Sequence, residues 1–142
     1  MTEIWKPIVG HPGYEVSDLG RVRSIDRIIE RAATKRTKAY AWPLKGQLLA
    51  PNVTGSRHQH MAVSLGARKK HKVHHLVLEA FVGPRPAGGV GRHGAKGSLC
   101  NSLDNLCWGT QSDNVRDAVA AGTFMSEKRK AHLKTLIGRR WL

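Results

Sequence analysis

The sequence predicts a mixed α+β fold, and three features of its pattern predict it. Short apolar runs alternate with polar residues and close on Gly or Pro, which builds small β units rather than one large sheet. One stretch, 75–82, switches from alternation to helical spacing. A strand–loop–strand–helix order then fills residues 90–121. The chain divides accordingly into three parts. A small N-terminal β module with a basic connector spans 1–46, a β-hairpin with the strand–strand–helix core spans 47–123, and a basic C-terminal helix spans 124–142.

In the first part, Tyr14-Glu15-Val16 and Val22-Arg23-Ser24-Ile25 read as short strands, and Leu19-Gly20 between them is a turn signal. Residues 27–46 form a charged connector that carries Arg27, Arg31, Lys35, Arg36 and Lys38 against a single acid, Glu30. A short helix is expected there near Ile28-Ile29. In the second part, Leu48-Leu49 precedes a strand over His60–Leu65, and Gly66 turns the chain toward a partner near Lys72-Val73. Leu76, Val77, Ala80 and Phe81 then fall on one helical face, and Gly83-Pro84 stops that helix. Val90–His93 and Leu106–Trp108 are the paired strands of the core. Thr110 or Ser112 caps a helix that runs to Ala121. A last helix over 127–140 carries Lys128, Arg129, Lys130, Lys134, Arg139 and Arg140.

Charge narrows the partners. Twenty-four Lys and Arg face ten Asp and Glu, a net charge of +14. So large an excess repels itself unless a polyanion offsets it, and nucleic acid is the first candidate. An anionic membrane is the second, but no run approaches the ~20 apolar residues of a span. Met1 is followed by polar residues and no apolar signal core, so a cytoplasmic chain with reduced cysteines is expected. Cys100 and Cys107 lack the close pairing of a structural zinc site. Gly89-Val90-Gly91-Arg92-His93-Gly94 fits a dinucleotide-binding pattern only in letters, because Pro84, Pro86 and Gly88 precede it and no helix follows.

Hydrolysing a phosphodiester needs a base for water and a cation for the charge that builds on phosphate. A histidine on a rigid strand end, beside a helix start, offers the frame. At this point the residues resemble a known family. His74-His75-Leu76-Val77-Leu78-Glu79-Ala80-Phe81-Val82-Gly83-Pro84, Arg92-His93-Gly94, Asn105-Leu106-Cys107-Trp108-Gly109-Thr110 and Ser112-Asp113-Asn114 resemble the HNH, or ββα-metal, endonucleases of phages and introns. The N-terminal Glu3–Pro7 and Tyr14–Ser24 resemble a DNA-contacting module common in those enzymes.

The resemblance implies a role for each matching residue. His93 would be the general base, Asn105 its brace and Asn114 a ligand of a divalent cation, Mg²⁺ or Mn²⁺. The spacings of twelve and nine residues agree with the family. It also implies DNA as partner and a mobile-element or phage origin; one active site cuts one strand per visit, and whether the chain nicks or cuts both strands, as monomer or dimer, is left open. His74 and His75 would be supporting residues. Arg21, Arg23, Arg27, Arg36, Arg92, Lys96, Arg116, Lys128 and Arg129 are the candidate DNA contacts. One position departs from the pattern. Many members carry an acidic metal ligand just before the catalytic His, and here Arg92 stands there. A guanidinium cannot ligate a cation. Asp113 and Asp117 are the candidate replacements, and a DNA-binding protein that keeps the fold without cleaving is the alternative.

Overall fold

The N-terminal residues build a three-stranded antiparallel sheet from β1 (Trp5–Pro7), β2 (Tyr14–Ser17) and β3 (Val22–Ser24), in that order. Val16 pairs with Val22 across the sheet, and both are buried. The turn between β2 and β3 is held by Ser17, whose Oγ accepts from the backbone N–H of Leu19 and of Arg21. Gly20 takes φ +81° there, a conformation that costs a glycine little. This computed structural model describes residues 2–66 and 69–120. The expected helix over 127–140, with Lys128 and Arg129, lies outside the described residues.

The basic connector is a hairpin, not a short helix. β4 (Arg27–Arg31) pairs with β5 (Tyr40–Leu44), and Ile28 lies opposite Pro43. The β-branched pair Ile28-Ile29 suits an extended backbone. In a two-stranded ribbon every strand is an edge, so Pro43 withholds no essential donor. The Thr34 and Thr37 hydroxyls close the tip at 2.7 Å. Tyr40 and Trp42 share a face by the period-two rule and stack with ring centroids 4.9 Å apart.

A second three-stranded sheet follows, β6 (Asn52–Thr54), β7 (His60–Ser64) and β8 (Lys70–Lys72), with β7 in the middle. Leu48 contributes only an isolated bridge to Arg23. Helix α1 (Val73–Phe81) starts directly after β8. Its apolar face meets both sheets. Val73, Leu76, Val77 and Leu78 pack in one cluster with Ile8, Val16 and Val22 of the first sheet and Val63, Leu65 and Leu106. Four members, Val16, Val73, Val77 and Leu78, are essentially sealed from water. Each such side chain contributes ~1.5–3 kcal/mol by burial.

The last described unit is β9 (Val90–His93), a single 3₁₀ turn (Leu103–Asn105), β10 (Leu106–Gly109) and α2 (Gln111–Ala120). β9 and β10 are antiparallel, with His93 opposite Leu106 and Arg92 opposite Cys107. Thr110 and Asp113 cap α2 reciprocally. The Asp113 backbone N–H donates to Thr110 Oγ1, and Asp113 Oδ2 accepts from the Thr110 N–H and hydroxyl. Among the described residues, no helix is long and apolar enough to cross a membrane.

Candidate active site

His93 is the last residue of β9, where the strand hands over to the loop of residues 94–102. That loop is stitched from inside by Asn105. Asn105 Oδ1 accepts from the Lys96 N–H, and Nδ2 donates to the carbonyls of Gly97 and Cys100 at 3.1 and 2.9 Å. All three side-chain bonds of Asn105 therefore go to loop backbone, and none goes to the His93 ring. The ring's partner is Asn101, whose Oδ1 lies 3.1 Å from His93 Nε2. A carboxamide oxygen only accepts, so Nε2 carries the proton and Nδ1 keeps its lone pair. Asn105 thus differs from the direct brace expected from the sequence. It shapes the loop that carries the brace.

The N-terminal module positions Asn101. Leu103 N–H donates to the carbonyl of Asp18 at 2.7 Å. A Cβ on Gly20 would stand 2.7 Å from Asn101 Cβ, so the β2–β3 turn presses directly on the loop. Nothing in the sequence flags Asn101, because it lies in a loop with no periodicity and the turn that presses on it, at Gly20, is about eighty positions away.

Behind His93 lies a histidine cluster. His74 in the first turn of α1 and His60 at the start of β7 face it, with ring centroids 4.6 and 5.8 Å from His93 and 5.2 Å from each other. Nitrogens of the three lie within 4.8 Å of one another, so together they could hold a metal ion. His74 and His75 sit over β9 because Gly91 has no side chain. A Cβ there would come within 2.6 Å of His74 Cδ2 and 3.1 Å of His75 Cδ2. That is the role of a glycine that in the sequence suggests only a misleading nucleotide pattern. His75 packs on Trp108, whose Nε1 donates to the Gly83 carbonyl.

Burial holds these imidazoles neutral. It pushes His74 down to about 2 and His75 down to about 4, with neighbouring His and basic side chains adding to the effect. His60 is lowered by burial and then by Lys72. His93 is lowered by burial, partly opposed by its bond to Asn101. A neutral imidazole can accept a proton.

The acids expected near a cation are engaged elsewhere. Asp117 takes two hydrogen bonds from Arg92, at 2.7 Å from Nε and 2.8 Å from Nη2, which hold its carboxyl below the usual range. Asp113 is spent on the α2 cap and on Arg116, 2.8 Å away. Asn114 lies exposed in the first turn of α2. Among the described residues no hydrogen bond engages its side chain.

The basic candidates divide in two. Arg21 pairs with Glu3, and Arg23 pairs with Glu15 while lying 4.0 Å over the Trp5 ring. Arg27 donates to the Gly13 carbonyl and covers Tyr14. Lys96 pairs with Asp104, and Arg116 with Asp113. Arg36 is exposed at the tip of the β4–β5 hairpin and has no carboxylate partner among the described residues.

Comparison with known proteins adds independent findings. Residues 3–53 match the NUMOD4 motif, and residues 71–116 match the HNH endonuclease family. A solved structure concerned with DNA binding and cleavage by the HNH homing endonuclease I-HmuI is similar to this chain. The TM-score is 0.62 at 27% identity, over 92% of this chain and 66% of the other. The chain therefore spans slightly less than two thirds of that enzyme's length. No curated protein sequence matches it.

Proposed function

Because this chain belongs to the HNH homing endonuclease family, we propose that it hydrolyses phosphodiester bonds of DNA with His93 as general base. The observation that carries the reading is the state of one ring. His93 is half-buried at the end of β9, its Nε2 lies 3.1 Å from Asn101 Oδ1, and burial favours the neutral ring, which leaves Nδ1 to accept a proton. In this mechanism Nδ1 takes a proton from water. The positive ring that results is stabilised through Nε2–H by Asn101 Oδ1. Asn105 keeps the loop, and so Asn101, in register with the strand end.

Mg²⁺ or Mn²⁺ is the cation this reading expects. The protein donors that remain for it are few. Arg92 replaces the usual acid and occupies Asp117, and Asp113 caps α2. Asn114 is the one candidate ligand not otherwise engaged among the described residues. A single carboxamide does not fit a cation held by protein ligands alone. DNA phosphate oxygens and waters would have to supply most of the shell.

DNA contacts follow from exposure and pairing. The β4–β5 hairpin, with Lys35, Arg36 and Lys38 near its tip and Tyr40 stacked on Trp42, offers unpaired charge and aromatic faces together. Such contacts position a protein on the backbone. The Arg92–Asp117 pair favours a second reading, a DNA-binding protein of this fold that does not cleave.

Supercoiled plasmid decides between them. The nuclease reading expects nicking in Mg²⁺ or Mn²⁺, arrest by chelator, and a loss of about 10²–10⁴-fold in His93→Ala, with DNA affinity retained. Tight binding by a wild-type chain that nicks in neither metal would overturn the nuclease reading in favour of the second.

A further inference from the structure

We propose that His60, His74 and His93 form a site for a borderline transition-metal dication of the Zn²⁺ class, and that such an ion binds the same nitrogen of His93 that would serve as the base. The catalytic consequence rests on the nuclease reading, whereas the binding itself does not.

The geometry comes first. Three imidazoles arrive from three separate elements, the start of β7, the first turn of α1 and the end of β9. Their candidate ligand nitrogens already lie within 4.8 Å of one another. Ligands around a tetrahedral Zn²⁺ at ~2.0–2.1 Å stand roughly 3.3 Å apart, so small ring rotations close the gap. Three protein ligands leave a fourth position for water or a phosphate oxygen.

Chemistry selects the class of metal. The cluster is all nitrogen, and none of its members pairs with a carboxylate among the described residues. Mg²⁺ and Ca²⁺ prefer oxygen shells, whereas imidazole suits Zn²⁺, Co²⁺, Ni²⁺ and Cu²⁺.

Two further observations point to a ligand. His60 Nδ1 and His74 Nδ1 are buried without a hydrogen-bond partner, and His74 is 2% exposed. Buried polar atoms left unpaired are costly, and bonding the metal through a ring nitrogen would repay that cost. His93 also has the support typical of a metal-bound histidine. Its Nε2 lies 3.1 Å from Asn101 Oδ1, an acceptor, which favours the tautomer with Nδ1 free to ligate. That lone pair can take a proton or a metal ion, but not both.

The test needs neither DNA nor cleavage, so its failure and the failure of the nuclease reading are separable. The full chain, stripped with chelator, is titrated with Co²⁺. One equivalent should bind with the intense visible absorption of a four-coordinate site, be displaced stoichiometrically by Zn²⁺, and resist a large excess of Mg²⁺. His60→Gln and His93→Gln, both at partly exposed positions, should each weaken Co²⁺ binding at least tenfold. The neighbouring exposed His58→Gln should leave it unchanged. X-ray absorption on the Zn²⁺ form should report three nitrogen neighbours from imidazole, and ¹⁵N NMR should show Nδ1 of His93 moving to a metal-bound shift. No Co²⁺ or Zn²⁺ binding at micromolar concentration, or binding that survives both substitutions, would overturn the site. An unchanged His93 Nδ1 resonance in the loaded chain would overturn its overlap with the base.

Discussion

Arg92 and Asp117 face each other through two parallel hydrogen bonds, 2.7 Å from Nε to Oδ2 and 2.8 Å from Nη2 to Oδ1. The pair ties α2 to β9 at the residue adjoining His93. It also removes from use both the position where the family resemblance implies an acid and one of the two carboxylates, Asp117, that could replace it. Bidentate geometry gives the pair direction as well as attraction. The contact is close enough that any Cβ on Gly109 would collide with the Arg92 stem.

Arg92→Asp reverses this arrangement. It releases Asp117 and places a second carboxylate beside His93. Mg²⁺-dependent nicking of plasmid should rise by about tenfold or more, because a hard cation then has carboxylate oxygens to bind. The denaturation midpoint should fall, since α2 loses its tie to β9. Unchanged nicking with a measurably tighter Mg²⁺ site would show that the missing acid is not what limits the reaction.

The second prediction concerns the brace. Asn101 favours the protonated His93 ring, and burial disfavours it more strongly, so the ring titrates below its ordinary value. Removing the carboxamide in Asn101→Ala takes away the group that raises the value, so it falls further. The acid limb of the pH–rate profile, already at lower pH than an unburied imidazole would give, should move to still lower pH. The rate on the plateau should drop roughly 10–100-fold, the range typical when the outer partner of a functional imidazole is lost. A plateau loss with no movement of the acid limb would mean that Asn101 only supports the loop.

These two residues also mark how far the sequence was readable. Strands Tyr14–Ser17, Val22–Ser24, Val90–His93 and Leu106–Gly109 and both described helices follow from periodicity and from Thr110 and Gly83 as boundary residues. The connector did not, because Ile28-Ile29 is too short a run to separate helix from strand, and the pairing with Tyr40–Leu44 is a long-range fact. His93 was legible because it sits beside a strand end at a family spacing. His60 and Asn101 were not. Each meets His93 only after the chain folds, and neither lies at a sequence distance that signals a ligand or a hydrogen bond. The partners of Arg21, Arg23 and Arg92 were hidden for the same reason, since net charge is read without knowing which cations are already paired.

Gly20 provides a third prediction, about how the N-terminal module acts on the site. Gly20→Ala forces a side chain into φ +81° and against Asn101. Gly10→Ala meets the same kind of backbone at φ +77° but has nothing within 4 Å of the new Cβ. Both should lose ~1–2 kcal/mol of stability from the left-handed backbone. Only Gly20→Ala should also displace Asn101 and slow nicking, seen as a changed His93 ring resonance at a temperature where both variants are folded. Equal activity in the two variants would detach the β2–β3 turn from the site.

The last prediction separates cations that touch DNA from those that hold the protein together. Binding of a basic chain to duplex DNA weakens with salt, and each phosphate contact contributes about 0.9 to the slope of log affinity against log salt. Arg36 is exposed on the hairpin tip. Arg36→Ala should therefore lower the slope by about one contact and leave stability unchanged. Arg23 is already committed to Glu15 and lies 4.0 Å over Trp5. Arg23→Ala should lower the melting temperature and leave the slope where it was, because a guanidinium that pairs internally releases no counterion from DNA. If Arg23→Ala changes the slope and Arg36→Ala does not, the DNA lies along the first sheet, and the hairpin points away from it.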